Sequence, residues 1–90
     1  MTDNWKERSQ LGHDAYQPLN EASGHSSLGN FTLAQVCTTM EDISYGIRNA
    51  TADDIQRLEC RVQDAKQELQ IAVSKLVTAS TKLAAYRRAL

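Results

Sequence analysis

From Ile55 to Leu90 the hydrophobic residues recur in alternating steps of three and four. Written as heptads, one line carries Ile55, Val62, Leu69, Leu76, Leu83 and Leu90. A second line carries Leu58, Ala65, Ala72, Ala79 and Tyr86. This spacing predicts an amphipathic α-helix over about 52–88, about 55 Å long. Three consecutive alanines on one line let a second backbone come closer than the usual 8–10 Å. The pattern favours a tight antiparallel pairing over a loose parallel zipper, and no Asn or Lys interrupts the seam to set register.

A shorter stripe precedes it. Leu33, Val36, Met40, Ile43, Ile47 and Ala50 keep the same spacing and predict a helix over about 33–50. Thr32 and Gln35 have the spacing of a capping box, with Phe31 and Val36 placed as a hydrophobic staple. Gly46 reads as a weak point inside this helix, costing about 1 kcal/mol against alanine. Thr51, followed by Asp53 and Asp54, reads as the N-cap of the next helix, its acids at the positive end of the dipole. The apolar register slips by one residue there, which predicts a turn; a single kinked helix over 33–88 is the competing arrangement. In the hairpin, Leu33, Val36, Met40, Ile43 and Ile47 should pack against Ile55, Leu58, Val62 and Ala65.

Residues 1–30 show no sustained repeat of large apolar residues. They are rich in Gly, Ser, Asn and Gln, and hold the single proline, Pro18. Such a stretch reads as a flexible N-terminal arm that cannot offset its chain entropy. The expected fold is therefore all-α: an arm over 1–30 and a helical hairpin or coiled-coil assembly domain over 31–90. A third helix folded back from 4–20 is disfavoured because that segment lacks the matching repeat. A first helix of this length covers only half of the second. Leu69, Ile71, Ala72, Val73 and Leu76 should then face another molecule. So should Val77, Ala79, Leu83, Tyr86 and Leu90, because exposing large apolar side chains forfeits about 1.5–3 kcal/mol each.

Composition narrows the function. Ninety residues, 41% hydrophobic, with Trp5, Tyr16, Phe31, Tyr45 and Tyr86 as the aromatics, leave little room for a core with a deep pocket. Net charge is −1, so nothing draws the chain to nucleic acid or anionic lipid. In the second helix the acids end at Glu68, and beyond it only Lys75, Lys82, Arg87 and Arg88 are charged. This gradient suits the helix dipole; it also describes a basic tip for an acidic surface. Cys37 and Cys60 fit no metal spacing. A turn near Thr51 would set Cys37 level with about residue 66, so two free thiols are expected. Asn30-Phe31-Thr32 and Asn49-Ala50-Thr51 match the glycosylation triplet but read better as caps.

No catalytic motif is present. His13 with Asp14, and Glu21 with His25, lie in the expected arm, where nothing would hold them to the tolerance of a working site. No phosphate loop, His-Glu-x-x-His or Cys-x-x-Cys occurs. No cofactor, small molecule, nucleic acid or membrane span is expected. The start lacks an apolar leader core, which predicts a cytoplasmic protein and leaves signal-peptide-independent export open. A non-enzymatic subunit that assembles into an oligomer or filament through its long helix is the leading expectation. In outline the arrangement resembles the small helical subunits of secretion needles and related filaments, although their proline-bearing turn is missing. The alternative is an adaptor or chaperone that binds a partner's amphipathic helix, as in a secretion apparatus.

Overall fold

The computed structural model describes residues 5–90 as two helices, α1 (Trp5–Ser44) and α2 (Ala52–Ala89), joined by a short turn. They pack as an antiparallel hairpin, a rod of 72 × 17 × 14 Å. No strand occurs among the described residues. Four pairs of neighbours set the register. Lys75 Nζ donates to Glu21 Oε2 at 2.6 Å. His25 Nδ1 faces Glu68 Oε2 at 2.5 Å. Arg61 donates to Gln35, and Gly12 lies against the ring of Tyr86.

The expected arm is the first correction. From Trp5 onward, residues assigned to it form the N-terminal part of α1, and the helix runs without interruption through residue 30. Residues 1–4 lie outside the described residues. The repeat that holds this half is written in small side chains. Ala15, Ala22, Gly29 and Val36 follow one another at seven-residue intervals, and all four are buried. A search for large apolar residues passes over such a line. Pro18 is also buried inside α1. Its ring removes one helical hydrogen bond at about 3 kcal/mol, and the contact with α2 along the whole helix offsets that cost. Thr32 consequently caps nothing. It sits mid-helix, the Phe31–Val36 staple does not form, and Phe31 is 61% exposed.

The turn lies earlier than the pattern implied. α1 ends at Ser44 because Gly46 takes a left-handed conformation, φ +73°. The Gly46 N–H donates to the Ile43 carbonyl at 3.1 Å, and the Ile47 N–H to the Asp42 carbonyl at 3.0 Å. These are the two bonds of a Schellman stop. Gly46 is thus the terminator of α1 rather than a weakness within it, and a single kinked helix is ruled out. Ile47, expected in the hairpin core, lies in the turn and is 75% exposed. Ala50 likewise lies outside both helices.

α2 begins where its cap predicted. Thr51 Oγ1 accepts from the Asp54 N–H at 3.2 Å, and Asp54 Oδ2 accepts from the Thr51 N–H at 3.0 Å, a complete capping box. Those hydrogen bonds from Thr51, backbone first, hold the Asp54 carboxyl below its ordinary value of 3.8. A depressed folded-state pKa contributes stability above the unfolded pKa, and that contribution is lost as pH falls through the folded value. Asp54→Asn should therefore show a smaller loss of thermal midpoint than the parent when pH is lowered from neutral to about 2.5. Equal losses would show that the box does not titrate with folding.

The core is a seam of small residues. Ala15, Ala22 and Val36 of α1 and Ala65, Ala72 and Ala79 of α2 are the buried hydrophobic residues, with Ala65 only 1% exposed. No large side chain is fully buried among the described residues. A Cβ added at Gly29 would lie 3.0 Å from Leu69 Cγ and 3.4 Å from the Ala65 carbonyl oxygen, so the backbones meet closely there. Gly24 is different: nothing lies within 4 Å of an added Cβ. Gly24→Ala should raise stability by about 0.5–1 kcal/mol through helix propensity alone, read as the shift in urea midpoint. A fall would mean that α1 is not helical at this point.

Candidate functional site

The heptad lines of α2 divide the hairpin into two faces. Its alanine line points into α1. Asp54, Arg61, Glu68, Lys75 and Lys82 form the next line on one side. Three of them, Arg61, Glu68 and Lys75, make the cross-helix contacts to Gln35, His25 and Glu21. This is the polar face. Ile55, Val62, Leu69, Leu76, Leu83 and Leu90 form the line on the other side. In α1 the matching line carries Leu19, Leu33 and Met40.

These residues make an apolar face, interrupted on α1 by Ser26. Near the turn an open groove is lined by Val36, Met40, Ile55, Leu58 and Val62. A second groove follows, lined by Leu33, Val62, Leu69 and Val73, with the stem of Lys66 at its edge. Farther along, Leu76 and Leu83 continue the line, each 49% exposed. The geometry explains this half-burial. Two cylinders touch along one line, and the small residues occupy it, so the large ones on the flanking line can cover only one side.

The expected interface residues therefore separate. Ala72 and Ala79 are covered by α1, correcting their assignment to an intermolecular contact. α1 reaches the far end of α2, so the expected lack of an internal partner for residues 71–90 does not hold. Leu69 and Tyr86 are half-buried against Gly29 and Gly12. Val73, Leu76, Val77, Leu83 and Leu90 stay exposed, as does Ile71, which lies on the other flank beside Glu68 and Lys75. Of the residues expected to pack within the hairpin, Val36 and Ala65 are buried; Leu33, Ile43, Ile55 and Leu58 are half-buried; Met40 and Val62 lie on the exposed apolar face.

Charge divides the rod lengthwise. The open end, residues 5–22 and 74–90, carries six bases and three acids. The turn end, residues 38–59, carries five acids and two bases. The first helix thus extends a gradient that the second helix alone showed only in part.

Catalytic groupings are a poorer match to the geometry. His25 meets Glu68 on the polar face, not Glu21. Among the described residues no three His, Cys, Asp or Glu side chains could hold a metal ion. Cys37 and Cys60 are both free and exposed. The Gln35–Arg61 contact puts the two thiols near one level, not six residues apart as a turn at Thr51 implied. No helix among the described residues is long and apolar enough to cross a membrane. Comparison of the chain with protein-family models, curated proteins and solved structures gave no match.

Proposed function

We propose that this chain is a non-enzymatic helical subunit that self-associates through the apolar face of its hairpin, building an oligomer or filament. One observation carries the reading: the large apolar residues on the line beside the seam, Leu76 and Leu83 among them, are half-exposed along one face while the seam itself is filled mainly by small residues. Full burial of such a side chain is worth about 1.5–3 kcal/mol, so leaving half of it in water forfeits about half of that, and a face of this kind marks an interface.

Leu76→Asp tests it. Leu76 lies on the apolar line and is not needed to fill the alanine seam, so the hairpin should keep its helical circular dichroism. Self-association, read as molar mass by light scattering after size exclusion, should weaken at least about tenfold. Unchanged assembly in this variant would remove the face from the interface. A second reading places a partner's amphipathic helix on the same face. The groove lined by Met40, Val36, Ile55 and Val62 favours it, because it is open along its length and bordered by a flexible methionine. A parent chain that stays monomeric up to millimolar concentration would select that reading.

A further inference from the structure

We infer that the occupant of the apolar face is a second copy of this chain, turned end for end, so that α2 packs antiparallel on the α2 of its partner. The inference rests on the self-association reading and adds the partner's orientation.

Two hairpins can stack these faces about a twofold axis in two ways. With the axis along the rods, both turns lie at the same end and α1 covers the partner's α2. With the axis across the rods, the turn of one copy lies at the open end of the other and α2 covers α2. Charge chooses between them. The first arrangement sets two acidic turn ends together and two basic open ends together. The second sets each end, three charges in excess, on an end of opposite sign. Complementary potentials of this kind set register and suppress wrong pairings.

The residues flanking the stripe make the same choice. On α2 the line beside the leucines carries Glu59, Lys66, Val73, Ser80 and Arg87 at seven-residue steps. Glu59 and Val73 both border the grooves. A crossing axis near Val73 brings Glu59 of each copy level with Arg87 of the other and puts Val73 against its own equivalent. The like-end arrangement gives Arg87 no acid from α2, and the corresponding flank of α1, Tyr16, Ser23, Asn30 and Cys37, is uncharged. Size is also adequate. The Cα outline of the rod, 72 by 17 Å, leaves room on this side for the about 800 Å² that a standard interface takes from each partner. The product is an antiparallel four-helix bundle with the leucine lines of both copies inside and Ile71 left on the outer, polar flank.

The test uses the full chain with Cys37→Ser, Cys60→Ser and a single spin label on Asn49→Cys in the exposed turn. The end-for-end dimer should give a label-to-label distance close to the 72 Å length of the rod. A distance on the order of 20 Å, two helix diameters, would overturn the orientation while leaving self-association standing. Monomeric mass with no spin coupling at any concentration would overturn both. Charge reversal gives an independent arm. Arg87→Glu should raise the dissociation constant about tenfold, and Arg87→Glu with Glu59→Lys should restore it. A double variant as weak as the single one would count against the Glu59–Arg87 register.

Discussion

Ala72→Asp is expected to unfold the hairpin. Ala72 is one of the alanines between the two helices, 5% exposed. A carboxylate there has no room and no cation aimed at it, since the cross-helix ion pairs lie on the polar flank. Leaving a charge buried and uncompensated costs about 3–5 kcal/mol. A chain of this size has stability of only about 5–10 kcal/mol to lose. The helical signal at neutral pH should fall sharply, and any remaining transition should shift to much lower urea. Ser74→Asp, on the exposed outer surface two residues away, should change stability by no more than about 0.5 kcal/mol. Equal behaviour of the two variants would mean that α1 does not cover α2 at this level. The contrast with Leu76→Asp is also informative. The seam variant should lose the fold, and the face variant only the assembly.

Gly29→Val should separate the helices at a place where their backbones lie close. The added Cβ alone would stand 3.0 Å from Leu69 Cγ and 3.1 Å from its Cδ2. Leu69 can turn aside in part, but the Ala65 carbonyl at 3.4 Å is backbone and cannot. Overpacking of this kind costs about 1–3 kcal/mol, more than the few tenths recovered by replacing glycine with valine in a helix. The urea midpoint should fall accordingly. Leu69→Ala in the same chain should recover part of the loss, a positive coupling in a double-mutant cycle. Additive losses would place Leu69 away from Gly29. The same substitution at Gly24 meets open space and should not destabilise.

Gly12, Gly29 and Pro18 show why residues 5–30 look irregular along the chain and are helical in the fold. Glycine, serine and proline usually interrupt helices, and Gly12, Pro18, Gly24 and Gly29 made residues 1–30 look irregular. In the folded chain Gly12 and Gly29 are the places where α2 comes near, facing the bulk of Tyr86 and Leu69. A small residue on one helix opposite a large one on the other is a tertiary match, and neither half shows it alone. Gly46 acts in the opposite sense, ending a helix that the apolar spacing alone would continue. It carried the stop signal, but the apolar spacing ran on through Ile47 and Ala50 and concealed it. Of the exposed face only the half from Leu69 onward is legible in the chain, because Ile55 and Val62 on the same line, with Leu33 and Met40, read as hairpin packing, and Ala72 and Ala79 read as interface. The half-exposure of this face arises from the shape of two cylinders in contact and not from a shortage of chain to cover it.

What the chain determines locally is the helical character of α2, its start at Thr51, and the separation of alanines from leucines onto neighbouring lines. These depend on residues within one or two turns, where capping, propensity and periodicity act. Only the packed hairpin decides that residues 5–30 are helix, that the alanines face inward and the leucines border a groove, and that charge is sorted toward opposite ends of one rod. Burial of a small-residue seam has no value until the second helix lies against it, so this information exists only in the pair.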